Sequence, residues 1–234
     1  MAQSTQDPVQ DQNPAYVHQA FSSIAKRYVV ANHVLSLGVD LWWRKRVARL
    51  VSEVGPAIVL DVATGSGDLA EVVANEVAEA RIIGVDFCAP MLAEARKRSL
   101  PDLLVCDGLA LPFESGTVDA VTIGYGLRNM ANWANAVAEF SRVLRPGGRL
   151  VVLDFSLPTI PGIRQLYRFY LHRVLPVIAG WMTGHRDAYQ YLGESIERFP
   201  KGEEMNRLIE SNGFREARHR PLLGGISAVY WAER

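Results

Sequence analysis

Short apolar runs alternate with helical stretches from residue 57 onward, and this alternation constrains the fold more than any other feature of the sequence. The predicted strands are Ala57–Val62, Arg81–Asp86, Leu103–Cys106, Val118–Ile123 and Arg149–Asp154. The predicted helices are Asp68–Glu79, Pro90–Ser99, Ala131–Leu144 and Glu203–Asn212. Strands that alternate with helices form right-handed crossover units, in which helices cover both faces of a parallel sheet.

The two ends of the chain complete this α/β architecture. Residues 16–51 contain two or three predicted helices, and residues 157–200 form a predicted helical lid insertion. The last two predicted strands, Glu216–Pro221 and Ser227–Trp231, have no helix between them and must therefore pair as a hairpin that adds an antiparallel edge. We expect one domain over residues 16–234, with a Rossmann-like sheet that is mostly parallel and has an antiparallel terminal strand.

Composition and charge exclude several classes of protein. Lys+Arg and Asp+Glu are both 25, and a chain without positive excess is a poor general nucleic-acid binder. Cys88 and Cys106 lie in no Cys/His cluster, so neither a disulfide framework nor a metal site is expected. Residues 1–15 have the polar character of a disordered tail rather than a signal peptide. No stretch reaches the roughly 20 apolar residues of a spanning helix, so we expect a cytoplasmic protein.

The first predicted strand ends in Asp61 and turns through Thr64, Gly65 and Gly67 into a helix. Glycines let the backbone approach a ligand closely, and a helix N-terminus presents free N–H groups. The run that starts at Gly65 also fits the dinucleotide fingerprint G-x-G-x-x-A, with Asp86 about 20 residues further on. This loop alone leaves both an NAD(P)-dependent oxidoreductase and a methyltransferase open.

Acidic residues at the ends of three successive strands favour a positively charged sulfonium nucleoside over a doubly negative dinucleotide. Asp61 suits a cationic amino-acid group, Asp86 can accept both ribose hydroxyls, and Asp107-Gly108 suits an adenine amino group. The chain also contains no Tyr-x-x-x-Lys pair for hydride chemistry. Any one Asp taken alone could instead be a helix cap. Together they predict a class I S-adenosylmethionine-dependent methyltransferase fold.

Several segments resemble one family of methyltransferases. The run Gly124-Tyr125-Gly126-Leu127-Arg128-Asn129-Met130 resembles the Gly-Leu-Arg-Asn motif of the ubiquinone/menaquinone biosynthesis C-methyltransferase family. Residues 21–28 and Trp43-Arg44 resemble its N-terminal motif, and residues 189–196 resemble a later one. The resemblance covers nearly the whole chain after residue 20. It implies S-adenosylmethionine as cofactor and methylation of a ring carbon of a polyprenylated quinol, with demethylmenaquinol as the first expectation and a benzoquinol as the alternative.

The same resemblance places cofactor contacts on Thr64, Asp86 and Asp107-Gly108. Two positions depart from the family pattern. The family often has Ser where Gly124 stands, which puts one cofactor contact in doubt, and it usually has Asp where Val29 stands, which affects the anchoring of the lid. Neither departure touches the glycine loop.

Three side chains are predicted to act on the quinol. Arg128 is the candidate to stabilise the developing phenolate or orient a water, since its own pKa is too high for a base. Asn129 is expected to hydrogen-bond a ring oxygen, and Tyr28 to close over the ring. Structural alternatives stay open: a cap or a surface ion pair for Arg128, an N-cap for Asn129, and plain packing for Tyr28.

The segment from residue 157 to residue 184 carries Arg164, Arg168 and His172 at a spacing that puts them on one helix face, beside apolar and aromatic residues. This pattern suits an interfacial helix on anionic lipid, a lid over a prenyl tail, or an amphipathic helix packed on its own sheet. We therefore expect peripheral membrane contact, on the inner face, with no span. Two other interpretations stay open: an O- or N-methyltransferase of the same fold, and a non-catalytic protein that retains it.

Overall fold

The structure is a computed structural model that describes residues 39–98, 100, 102–177, 180 and 186–234, without the side chains of residues 186–189. The predicted tail, the helices predicted before residue 39, and Tyr28 lie outside the described residues.

A seven-stranded sheet lies at the centre of the described chain. Its strands are β1 Ile58–Val62, β2 Arg81–Asp86, β3 Asp102–Val105, β4 Val118–Gly124, β5 Leu144–Phe155, β6 Arg215–Leu222 and β7 Ser227–Glu233. Their order is β3-β2-β1-β4-β5-β7-β6. Strands β1 to β5 are parallel to one another, and β7 is antiparallel to both β5 and β6. The Rossmann-like class I sheet predicted from the sequence is confirmed.

The terminal hairpin at the edge of the sheet and the antiparallel terminal strand are both confirmed. Strand β7 lies between β5 and β6, so the antiparallel strand is internal and β6 forms the edge. The side chains explain this order. Val229 and Tyr230 of β7 are almost fully buried, as suits a strand with neighbours on both sides. Arg215, Arg218 and Arg220 of β6 are exposed, and charged side chains protect an edge strand from further pairing.

Helices cover both faces of the sheet. They are α1 Val39–Ser52, α2 Asp68–Glu76, α3 Ala89–Ala95, α4 Trp133–Val143, α5 Pro161–Phe169, α6 Arg186–Arg198 and α7 Glu203–Glu210. Successive residues of a strand point to opposite faces. Accordingly, Val59 of β1 packs with the apolar side chains of α1 and α2, whereas the next residue, Leu60, packs with those of α4 and α7. The core therefore has two layers, one on each face of the sheet.

Most of the described part of the predicted lid insertion is helical. Helix α5 continues into a π-helical turn, Tyr170–Val174, and α6 follows further along the chain. Leu171, Leu175 and Ile196 form a small apolar cluster separate from the two main layers. No residue of α5 is buried. The insertion thus has a small core of its own and one helix that projects from it.

Candidate functional site

A cavity lies at the carboxyl ends of β1, β2 and β4. Parallel strands bring these ends to one edge of the sheet, which is where α/β proteins bind ligands. Six of the seven predicted cofactor residues line the cavity: Asp61, Thr64, Gly65, Asp86, Asp107 and Gly108. The structure therefore brings together acids that are separated by up to 46 residues in the sequence.

Asp61 is the most buried acid of the cavity lining, with 1% of its surface exposed. The Thr64 hydroxyl donates to Oδ2 at 2.6 Å, and the Thr122 hydroxyl donates to Oδ1 at 2.5 Å. Burial raises the pKa of Asp61 to about 6, against the lowering effect of the two hydroxyls. A buried carboxylate of this kind is costly when ionised and is stabilised by a cation in the cavity.

Asp86 fixes the glycine loop to the end of β2. Its carboxylate accepts the Gly65 N–H at 2.8 Å with one oxygen and the Cys88 N–H at 2.8 Å with the other. Asp107 lies at the next strand end, where Oδ1 accepts the Leu109 N–H at 2.9 Å. Asp86 is 7% exposed, whereas Asp107 is an exposed residue at the rim. The two acids thus differ in depth along the same cavity.

Gly67 does not line the cavity. It precedes the first residue of α2 with φ of 79°, a left-handed conformation that favours glycine. A Cβ added there would lie 2.6 Å from Cδ1 of Leu100. The structure therefore gives Gly67 a role in turning the chain into α2 and in packing behind the loop, and its contact with the cofactor stays a prediction.

The loops after β1 and β4 approach each other at the cavity wall. A Cβ added to Gly126 would lie 2.6 Å from Cβ of Ala63. Ala63 and Tyr125 both line the cavity, and both have positive φ, 51° and 58°, which is unusual for residues other than glycine. Strained backbone of this kind persists only where its surroundings impose it, and it is often found at functional sites.

Arg128 lies beneath the second of these loops and does not line the cavity. It is 2% exposed, and its Nη1 donates to Asp154 Oδ1 at 2.8 Å and to the carbonyl oxygen of Tyr125. Its guanidinium carbon lies 5.1 Å from the centroid of the Phe155 ring. The structural alternative was an ion pair on the surface. Arg128 does pair with an acid, but the pair is buried. Its contacts tie the loop to the end of β5.

Asp154 was missed by the sequence analysis as a partner for Arg128. It is fully buried and also accepts the backbone N–H of Arg128 at 3.3 Å. Burial raises the pKa of Asp154, while the Arg128 charge and hydrogen bonds lower it. The only signal in the sequence was an acid at the predicted end of the fifth strand.

Asn129 does line the cavity. Its amide donates to the carbonyl oxygen of Tyr125 at 3.3 Å, and its Oδ1 accepts from the Tyr191 hydroxyl at 3.4 Å. Asn129 is not the N-cap of α4. That place belongs to Asn132, whose side chain accepts the Asn135 N–H at 2.9 Å. The alternative of simple N-capping is therefore wrong, and Asn129 is placed where it can contact a ligand.

Arg44 lines the cavity, although its sequence pattern did not mark it as a site residue. It lies on α1, is 8% exposed, lines the cavity and pairs with Asp40. The sequence marked Trp43-Arg44 through family resemblance alone, since nothing local shows which side of a helix faces a cavity.

Within the described ranges, no three His, Cys, Asp or Glu residues are grouped so that they could hold a metal ion. Among the helices described, none is long and apolar enough to cross a membrane.

Comparison with known proteins identifies the family. A sequence model of the ubiE/COQ5 methyltransferase family matches residues 9–234. The chain belongs to this family. The chain is 43% identical to demethylmenaquinone methyltransferase from Thermus thermophilus. This match covers 92% of the present chain and 99% of the relative. The chain is also 42% identical to the ubiquinone/menaquinone biosynthesis C-methyltransferase UbiE from Syntrophotalea carbinolica, with 95% of this chain and 94% of that one covered.

Solved structures agree on the fold. A SAM-dependent methyltransferase from Thermotoga maritima, 17% identical, superposes with a TM-score of 0.60 and covers 92% of this chain and 98% of its own. Another from Aquifex aeolicus, also 17% identical, has a TM-score of 0.53 and covers 80% of this chain and 88% of its own. At this identity the likeness concerns the fold alone.

S-adenosylmethionine is the cofactor of this family member, and the cavity fits it. The cofactor carries a cationic sulfonium and an amino-acid tail at one end and a neutral nucleoside at the other. Asp61 offers a buried carboxylate that gains from a cation, and the glycine loop leaves room for close backbone contact. Asp86 and Asp107 also line the cavity, and their carboxylates are hydrogen-bond acceptors of the kind that suits the hydroxyl and amino groups of a nucleoside.

Proposed function

We propose that the protein transfers a methyl group from S-adenosylmethionine to a ring carbon of a polyprenylated quinol, with demethylmenaquinol giving menaquinol. The observation that carries this proposal is the contact between Asn129 and Tyr191. It brings together, at the cavity, the two segments that resemble the family, residues 124–130 and residues 189–196. The names of the relatives from Thermus thermophilus and Syntrophotalea carbinolica support the same substrate class.

In this proposal the cofactor is held by acids that line the cavity from its buried end to its rim. Asp61 binds the ammonium group, Asp86 the ribose hydroxyls, and Asp107-Gly108 the adenine edge. Thr64 orients Asp61 through its hydroxyl. When bound, the cofactor would supply an electrophilic methyl group for transfer to the quinol.

The quinol side of the reaction needs orientation more than acid–base chemistry. A ring carbon ortho to an ionised hydroxyl is nucleophilic, so the protein has to align it and exclude water. Asn129 can hydrogen-bond a ring oxygen from the cavity wall. Arg128 holds the loop in place through Asp154 and acts as a positioning residue, because its Nη1 contacts lie within the protein. Tyr28, outside the described residues, stays a candidate to close over the ring.

Quinone profiling in a deletion strain tests the proposed substrate. Mass spectrometry of a strain that lacks this gene should show accumulation of the demethylated naphthoquinone, and expression of the wild-type chain should restore the methylated form. An Asp61→Ala variant, made in equal amount, is the matched control and should not restore it. An unchanged quinone profile in the deletion strain would overturn the proposal. Accumulation of a demethylated benzoquinone would show that the substrate is a benzoquinol and not demethylmenaquinol.

We also propose that α5 contacts the membrane or the prenyl tail of the substrate. Ile163, Leu166 and Phe169 recur every three residues of α5 and share one broad side of the helix, and Ile160 lies just before its first residue. All four are between 50% and 69% exposed. Large apolar side chains on one exposed face are typical of helices that bind at a membrane surface. A substrate that resides in the bilayer would be reached from such a position.

The basic residues of this segment contribute less than the sequence predicts. Arg168 Nε donates to Glu197 Oε1 at 2.6 Å, and His172 Nε2 lies 3.0 Å from the same oxygen. Nε of Arg164 donates to the Pro158 carbonyl oxygen at 2.8 Å. These contacts connect α5 to its own neighbours. The membrane proposal therefore rests on apolar contact and not on attraction to anionic lipid.

Vesicle flotation tests this second proposal. The wild-type protein should float with neutral and with anionic vesicles to a similar extent, and Leu166→Glu together with Phe169→Glu should abolish flotation. Leu223→Glu, which changes an equally exposed apolar residue near the β6–β7 turn, is the matched control and should float normally. Absence of the wild-type protein from both kinds of vesicle would overturn the proposal.

A further inference from the structure

We propose that Arg44 binds the carboxylate of the cofactor's amino-acid tail, so that Arg44 and Asp61 together recognise this tail as a zwitterion. The inference rests on the proposed cofactor site and goes beyond it, because it assigns a role to a residue of α1. It makes Arg44 a specificity-determining residue for ligands that carry both an ammonium and a carboxylate group.

The position of Arg44 is fixed by its helix. Trp43 and Val47, on either side of it in the sequence, are buried in the core that α1 shares with α2 and β5, so the helix cannot rotate freely. Arg44 lies where this packed helix reaches the cavity, and it is 8% exposed. A cation this deeply buried is stable only when it is paired.

The partner of Arg44 within the protein is Asp40, one helical turn earlier. Nη1 of Arg44 pairs with Oδ2 of Asp40, and Asp40 is only 4% exposed. A guanidinium group has five N–H donors in a rigid planar fork, and this pair holds the fork in one orientation. The geometry suits a second anion in the cavity, because a fixed guanidinium binds a carboxylate with less loss of side-chain entropy.

Arg44 and Asp61 line the same cavity and are near enough for their charges to interact. The charge of Arg44 lowers the pKa of Asp61, although burial raises it more strongly. The two side chains line one cavity and carry opposite charges. A zwitterionic amino-acid tail has the complementary arrangement, with its ammonium group for Asp61 and its carboxylate for Arg44. Neither charge of such a ligand would then be buried without a partner.

A purely structural role for Arg44, as the i,i+4 partner of Asp40, makes a different prediction. In that case the loss of Arg44 shifts α1 and weakens the binding of all cofactor analogues equally. If Arg44 contacts the carboxylate, its loss should instead weaken the binding of only those ligands that carry the carboxylate. The two accounts are therefore separated by ligand chemistry and not by activity.

Isothermal titration calorimetry with two ligands tests the proposal. The ligands are S-adenosylhomocysteine and its decarboxylated analogue, which keeps the amine. We expect the wild-type protein to prefer S-adenosylhomocysteine by roughly 10- to 100-fold, as befits a charge-assisted hydrogen bond. Arg44→Met should reduce this preference to within about 3-fold, and it should do so by weakening S-adenosylhomocysteine alone.

Two further variants keep the test decisive. Arg49→Met removes an exposed cation from the same helix and should keep the full preference. Arg44→Lys keeps the charge without the planar fork and should give an intermediate preference, and it serves if Arg44→Met does not fold. Equal weakening of both ligands in Arg44→Met and Arg44→Lys, or an unchanged preference, would overturn the inference. Failure of the wild-type protein to bind S-adenosylhomocysteine would instead overturn the proposed function.

Discussion

The hydroxyl of Tyr191 lies 3.4 Å from Oδ1 of Asn129. This contact joins α6 to the loop after β4, although the two residues are 62 positions apart in the sequence. The Gly-Leu-Arg-Asn segment and the Tyr-x-Tyr-Leu segment both resemble the same family. The contact gives a physical reason why the two segments occur in one chain, since one supplies the cavity residue and the other orients it.

Replacement of Tyr191 should affect the quinol and not the cofactor. Tyr191→Phe removes the hydroxyl that Asn129 accepts from, so we expect KM for the quinol to rise by about 2- to 10-fold, as for one lost hydrogen bond. The affinity for S-adenosylhomocysteine should stay the same. Steady-state kinetics and calorimetry measure the two quantities. Tyr230→Phe, whose hydroxyl accepts the Gly202 N–H away from the cavity, is the control. An unchanged KM in Tyr191→Phe would contradict the role given to this contact.

The glycine of the Gly-Leu-Arg-Asn segment should be required by the neighbouring loop. Gly126→Ala brings a Cβ to 2.6 Å from Cβ of Ala63, and we expect a loss of about 1–3 kcal/mol in the free energy of unfolding. The added change Ala63→Gly removes the clash and should restore most of the stability, the more so because Ala63 has a φ of 51°. Denaturant unfolding measures both effects. Gly162→Ala, where nothing lies within 4 Å, serves as the control.

No rescue by Ala63→Gly would show that Gly126 is needed for another reason. The rescued double variant also gives a functional readout. Because the two loops form the cavity wall, we expect its affinity for S-adenosylhomocysteine to return towards the wild-type value together with its stability.

The ionised carboxylate of Asp61 should lower the free energy of unfolding of the apo protein and raise its affinity for the cofactor. Its folded-state pKa is raised from 3.8 to about 6, so the ionised form costs about 3 kcal/mol above pH 6. In Asp61→Asn this cost is absent, and we expect a higher free energy of unfolding than in the wild-type apo protein at pH 8. The difference should shrink as the pH falls from about 6 towards 4, because Asp61 then takes up a proton in the folded state.

Cofactor binding should change in the opposite direction. If ionised Asp61 binds the ammonium group, the affinity of the wild-type protein for S-adenosylhomocysteine should fall as the pH drops through about 6. The affinity of Asp61→Asn should be lower at pH 8 and almost independent of pH in this range. Calorimetric titrations at several pH values measure this. A variant that binds as tightly as the wild-type protein at pH 8 would exclude Asp61 as the ammonium ligand.

Arg128 and Asp154 should be strongly coupled in stability. Arg128→Met leaves the Asp154 carboxylate buried without its cation, and we expect a loss of about 3–5 kcal/mol in the free energy of unfolding. Arg128→Met combined with Asp154→Leu should lose less than the sum of the single changes. A double-mutant cycle from denaturant unfolding measures the coupling. Additive losses would mean that the pair does not anchor the loop.

The order and type of the elements followed from the sequence because local apolar patterns decide them. Each of the five predicted core strands is present, with ends shifted by a few residues. The position of Asp61, Asp86 and Asp107 around one cavity could be predicted because parallel strands bring their carboxyl ends to one edge of the sheet. The edge position of β6 depends on the neighbours that each strand finds, and no local pattern shows it.

The remaining site residues depend on contacts between distant segments. The pairing of Arg128 with Asp154 follows from the adjacency of β4 and β5, and the cavity position of Arg44 follows from how α1 packs on the sheet. Gly67 fitted the glycine motif but serves the turn into α2, because a motif gives residue types and spacing without saying which glycine faces the ligand. These are properties of tertiary packing.

The most direct measurement is methyl transfer by the purified protein. S-adenosylmethionine with a ¹³C-labelled methyl group is incubated with reduced demethylmenaquinone in detergent or vesicles, and the product is analysed by mass spectrometry and NMR. The account predicts that the label appears on a ring carbon of menaquinol and that S-adenosylhomocysteine forms in equal amount. Label on an oxygen of the quinol, or no transfer to the quinol while the cofactor binds, would contradict it.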